Sequence, residues 1–361
     1  MNVERKAPQV LDLSRSGRSG PVLEIAASEA SELIASLFLL TAEYGFETYD
    51  LPTETLEAAQ AGIPADLKAT LEDLGAGSEV MAQLVGLVAE LGGPRDVPSL
   101  LAHVEATPAI EIQMMLLGFY QHPHPEAPPE LIERAARGDA AAGEELKRSA
   151  EGHPDWLPEL TNLLALGADR IKAFLQEILP AWYRDVWPKL GVDMAELEAD
   201  AAAKRGQITK LPLEQLIETA TNGYQFTPDP ITRRILLFPS VILRPWLVHL
   251  DHKDLKVICY PMAESAAEGG TMTPHQLARF YKALGDEGRL KLLKRLGQGP
   301  LSLMETAEFL GVAKSTAHHH LGLLRHAGLV VIREVNNDKS WSLRRDLLPQ
   351  AGEILNTFLE G

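Results

Sequence analysis

Residues 301–330 read "LSLMETAEFLGVAKSTAHHHLGLLRHAGLV". Two short runs with helical spacing each stop at a glycine, Gly311 and Gly328. Glycine ends helices readily because it tolerates a left-handed backbone. Ala307 and Gly311 stand four apart, so a small residue sits where two helices touch and a turn residue follows it. Leu310 and Val312 flank the turn, and Ala317, Leu321 and Leu324 continue one apolar face. This is the pattern of a helix-turn-helix, with Ser315 expected to cap the second helix.

The flanks extend the pattern. "LVVIREVNNDKSWSLRR", residues 329–345, is an apolar run, a polar turn around Asn336, Asn337 and Asp338, and a second short run. It predicts a β-hairpin. Upstream, "TPHQLARFYKALG" begins with Thr273 and Pro274 and ends at Gly285, and "DEGRLKLLKRLGQG" begins with Asp286. Both predict helices. "RDLLPQAGEILNTFLEG" closes the chain as an amphipathic helix with a break at Pro349. A helix-turn-helix followed by a hairpin is the order of a winged helix.

Over about residues 273–345 these motifs resemble the ArsR/SmtB family of winged-helix transcriptional regulators. "KALGDEGRLKLL" is similar to the family's opening motif, and "STAHHHLGLLRHAGLV" to its recognition helix. The resemblance implies a cytoplasmic DNA-binding homodimer on a two-fold symmetric double-stranded operator. It implies dimer contacts from the first and last helices, here about 273–284 and 346–358. Metal-sensing members carry cysteines in the first helix of the motif, or histidines and carboxylates in the last. Here "LSLMETAEFLG" has no Cys and "RDLLPQAGEILNTFLEG" has no His. The expectation is therefore no metal and no cofactor.

The three histidines have their own geometry. A helix advances about 100° per residue, so with Ala317 at the core, His318 falls near 100°, His319 near 200° and His320 near 300°. They cannot converge on one ion within a helix. His319 shares the outward face with Ser315, Gly322 and His326, and that face is expected to read a major groove. Lys314, Ser315 and Thr316 are expected to meet phosphates at the helix start. His318 stands between phosphate contact and idle surface, and His320 is expected to pack. Arg333 and Lys339 flank the wing and can reach the backbone. Arg325 is expected to bridge to an acidic residue at the core edge rather than to touch DNA. The alternative for each is an ordinary solvated surface residue.

The remainder of the chain differs in charge and texture. The net charge is −16, which disfavours nucleic acid until its distribution is seen. From Met272 onward there are 12 Lys+Arg and 9 Asp+Glu, against 22 and 41 before it. The mildly basic end permits DNA binding. A single cysteine, Cys259, excludes an internal disulfide framework and a Cys-x-x-Cys zinc site. Residues 1–20 lack the apolar core of a signal peptide and read as a mobile tail with a short strand at "QVLDL". The most apolar run, "ILLFPSVILRPWLVHL", contains Pro239, Arg244 and Pro245 and is no membrane span.

Residues 21–262 form one acidic, mostly helical domain in this reading, with "SEASELIASLFLLTAEYG", "SEVMAQLVGLVAELGG" and "IKAFLQEILPAWYRDVWPKLG" as its clearest helices. Within it, 231–261 is rich in Val, Ile and Leu and predicts two or three antiparallel strands, with "LDHKDLK" as a hairpin loop. "AESAAEGGTMTP" predicts a linker over 263–272, and 273–361 is the winged helix. Trp156, Trp182, Tyr183, Trp187, Tyr224 and Trp246 can line an effector pocket or, more commonly, fill a core. His122 and His124 with Glu126 or His153, and the pair His249 and His252, are weak metal candidates. No catalytic motif is present. The fold class expected is mainly α with small β parts. The function expected is a transcriptional regulator whose N-terminal domain senses a small molecule or partner, or mediates oligomerisation. The alternatives are an enzyme fused to a regulatory winged helix, or a winged helix used for protein contacts.

Overall fold

The computed structural model describes residues 20–345 except 42–45, 47–48, 76–77, 122–126, 152, 154–155, 228–229, 263–273 and 336–337, together with 355–356 and 358–359. The expected strand at 9–13, the linker, the wing tip, His122, His124, Glu126 and most of the final helix lie outside the described residues. The chain forms two compact units. The first takes residues up to Ala202 and Thr232–Pro261; the second takes Ala203–Ile231 and everything from Met262.

The first unit is helical around a four-stranded sheet. Strands β1 (Val22–Ile25), β3 (Arg234–Ser240), β4 (Val248–His252) and β5 (Leu255–Pro261) lie in the order β1-β3-β5-β4. β1, β3 and β5 are mutually parallel, and only β4–β5 is antiparallel. The expectation of an antiparallel segment is therefore corrected: it holds for the hairpin alone. β3 and β5 are buried along almost their whole length. Near-continuous apolar strands are those of a parallel sheet covered on both faces, and such runs carry no alternation that would reveal strand direction. The hairpin turns at Lys253–Asp254, with Lys253 at φ 58.

Two helices lie centrally in this core. Trp182, in the helix Ala168–Asp185, is fully buried and donates its indole N–H to Ser36 Oγ in the helix Glu29–Thr41 at 2.9 Å. Glu32 of that helix accepts the N–H groups of Val241 and Ile242 at 3.0 and 3.1 Å, fixing the turn that leaves β3. Trp182 and Trp187 belong to this core, with Trp156 and Tyr183 packed against it. Tyr224 belongs to the second unit, so the six aromatic residues do not line one pocket.

The second unit contains the helices Pro274–Leu284, Glu287–Leu296, Leu303–Leu310 and Lys314–His326, then β6 (Val330–Val335) and β7 (Asp338–Leu343). Asp286 caps the second helix through the Arg289 N–H. Ser302 and Glu305 form a reciprocal capping box on the third. Both are local signals that make a short helix start where it does. Phe280, Leu292, Leu296, Leu321, Leu324, Leu329 and Trp341 close one core beneath them. The unit does not begin at 273. The helix Leu213–Ala220 and β2 (Tyr224–Phe226) belong to it, and β2 pairs in parallel with β6, Tyr224 opposite Ile332. The boundary expected at 263–272 thus leaves out a strap, residues 203–231, that completes the sheet as β2-β6-β7. Sheet partners so distant in sequence leave no local mark in either segment.

Candidate nucleic-acid interface

The turn between the helices Leu303–Leu310 and Lys314–His326 closes at Gly311, which has φ 67 and donates its N–H toward the preceding helix. A side chain there would be strained. Ala307 and Ala317 are buried where the two helices meet, as their small size requires. The second helix starts at Lys314, with Ala313 in the cap position and no side-chain cap bond. Ser315 therefore does not cap it: the helix begins one residue earlier than expected, and Ser315 sits in the first turn. With no cap, the N–H groups of Lys314, Ser315 and Thr316 have no acceptor among the described residues. These are the groups that helix N-termini offer to phosphates.

Exposure sorts the expected contact residues. Lys314, Ser315, Thr316 and His318 are exposed, and His319 is half-buried with its ring edge-on to His320 at 6.2 Å between centroids. Gly322 is buried, on the side of the helix that carries Arg325. His320 packs as expected, 3.9 Å from the Asp286 carboxylate. On the wing, Arg333 and Lys339 are exposed. Arg333 Nε donates to Gln225 Oε1 at 3.3 Å, and Lys339 Nζ lies 3.9 Å from the buried carboxylate of Glu334. An open groove of about 490 Å³ runs between the wing and the capping box, lined among others by Ser302, Glu305, Arg333 and Lys339.

Arg325 is buried and donates through Nη1 to the Thr221 carbonyl at 3.0 Å. Burial, and then the neighbouring Arg344, push its guanidinium down to about 10. It bridges to a backbone carbonyl of the strap, which sequence reasoning did not identify. The one available sign was "TNG" at 221–223, an Asn-Gly turn signal, which names a turn but not what the turn touches. Among the described residues no group of three or more His, Cys, Asp or Glu is placed to hold a metal ion. No helix among them is long and apolar enough to cross a membrane.

This arrangement defines a winged helix-turn-helix protein. Residues 284–333 match a family model described as a helix-turn-helix domain. An uncharacterized HTH-type transcriptional regulator of Bacillus subtilis, YceK, is 39% identical over 71 residues, which is 19% of this chain and 71% of that protein. The HTH-type transcriptional regulator NmtR of Mycobacterium tuberculosis is 41% identical over 56 residues, 16% of this chain and 47% of its own. A transcriptional repressor SmtB homolog of Synechocystis is 35% identical over 68 residues, 19% of this chain and 52% of its own. The chain belongs to the ArsR/SmtB family of helix-turn-helix transcriptional regulators, through its C-terminal part. No solved structure matches it significantly.

Proposed function

We propose that the chain is a cytoplasmic transcriptional regulator that binds a two-fold symmetric duplex operator as a homodimer. The helix Lys314–His326 enters the major groove with its first two turns. Ser315, Thr316 and the open N–H groups take phosphate oxygens, Lys314 adds charge, and His318 with His319 faces the base edges. Arg333 and Lys339 follow the backbone along the wing. The observation that carries this reading is the joint exposure of Lys314, Ser315, Thr316 and His318 on an uncapped helix start. The first unit binds a small molecule or a partner, and that binding biases the two recognition helices of the dimer.

Titration of a labelled duplex at rising salt tests the core of the proposal. Phosphate contacts release counterions, so the logarithm of the affinity falls linearly with the logarithm of salt. A chain that shows no duplex binding at low salt overturns it.

A further inference from the structure

One turn of the strap grips the far end of the recognition helix. Asn222 Nδ2 lies 3.5 and 3.4 Å from the carbonyl oxygens of Arg325 and His326, in the helix's last turn, where carbonyls carry partial negative charge; the Arg325 carbonyl also accepts the Gly328 N–H at 2.8 Å. Each contact is long, but both converge on one amide. Asn222 Oδ1 accepts from Arg344 Nη1 at 3.1 Å, just beyond β7. The Thr221 carbonyl accepts from Arg325, and the Gly223 carbonyl accepts the Ile332 N–H of β6 at 2.8 Å.

The turn is shaped to reach all three. Asn222 and Gly223 have φ 53 and 100, a region that Asn tolerates and Gly prefers. A Cβ on Gly223 would lie 2.9 Å from Val331 Cγ1 and would run into the Arg344 guanidinium. Close approach and backbone sign both demand glycine. The helix end, the β6 edge and the exit of β7 are thus fixed to one another through residues 221–223. The chain enters the strap from the first unit at Ala203 and re-enters that unit at Thr232, which makes the strap a covalent route from one unit to the other.

We propose that Asn222 and Gly223 are positioning residues for DNA binding. The turn sets the angle of the recognition helix against the wing, and with it the register in which Lys314–His318 and Arg333 meet a duplex. This rests on the DNA-binding reading above.

The test uses the full chain and two variants, Asn222→Gly and Gly223→Ala. Asn222→Gly keeps the backbone path and removes the amide link. Gly223→Ala pushes the strap off β6. The probe is the short duplex that the wild-type chain selects from a randomised pool, titrated where the melting curves show both variants folded. Affinity is expected to fall about threefold for Asn222→Gly and about tenfold for Gly223→Ala, the range expected from losing one weak and several ordinary hydrogen bonds. Amide exchange is expected to accelerate at 325–329 and to stay unchanged in the first unit. A folded Gly223→Ala chain with wild-type affinity overturns the proposal. So does a loss that merely tracks the unfolded fraction, which is what a purely structural role would give. If Gly223→Ala does not fold, wild-type affinity in Asn222→Gly is decisive against it. A wild-type chain that binds no duplex defeats the DNA-binding reading itself, a result distinct from equal binding by wild type and variants.

Discussion

Arg325 and Thr221 are 104 residues apart in sequence, yet the guanidinium of one donates to the carbonyl of the other at 3.0 Å inside a buried pocket of the second unit. The contact ties the recognition helix to a segment that composition assigns to a different domain. Replacing Arg325 by Met keeps the aliphatic bulk and leaves the Thr221 carbonyl without that donor. Stranding a buried acceptor costs about 2 kcal/mol. Amide exchange in β6 is expected to show that loss, and protection equal to wild type would contradict it.

Lys314 and His318 should differ from their neighbours in how they fail. Lys314→Ala removes one phosphate ligand, so binding should weaken on every sequence and the salt slope should shrink by about one. A slope unchanged within error would place Lys314 off the backbone.

His318→Ala is expected to cost more DNA affinity than His319→Ala, because His318 is exposed and His319 is half-buried against His320. Helix geometry alone ranks them the other way. Competition binding with both variants settles the order, and a larger loss for His319→Ala restores the simpler wheel.

That reversal marks how far the sequence reaches. The helices, the Gly311 turn and the wing were legible because each depends on signals within a few residues: a cap, a glycine, an apolar period. Exposure on the recognition helix was not legible, because it depends on what packs against the helix from elsewhere. Gly322 and Arg325 are buried, and Arg325 is held by a strap whose strand β2 pairs with β6 at a separation of 108 residues, Tyr224 lying against Ile332. The parallel pairing of β1, β3 and β5 was hidden for the same reason. An apolar run states that a strand is buried but not which neighbour covers it.

Glu90 offers a test in the first unit. Burial alone would raise its carboxyl, but hydrogen bonds from His252 at 2.8 Å, Lys253 at 2.5 Å and His103 at 3.0 Å outweigh it and hold the group down to about 2. A carboxyl depressed by folding contributes stability above its unfolded value near 4.5, and that contribution drains away as pH falls toward 2. Glu90→Gln is expected to lose on the order of 2 kcal/mol at neutral pH. It should also lack this part of the acid-induced fall. Urea midpoints of wild type and variant that run parallel between neutral and acidic pH would refute the assignment.

Glu32 carries the opposite sign. It is fully buried, and desolvation raises its carboxyl to about 7 despite the bonds from Ser240, Ile242 and Val241. The folded chain holds this proton over a range where the unfolded chain has released it. Its contribution is complete below about 4.5 and is lost as pH rises through about 7. Glu32→Gln keeps a carbonyl oxygen for the Val241 and Ile242 N–H groups and has no charge to bury. The variant should therefore be no less stable than wild type at mildly alkaline pH and should lose ground to it in acid. Alkaline instability of Glu32→Gln would show instead that the ionised carboxylate holds the turn after β3.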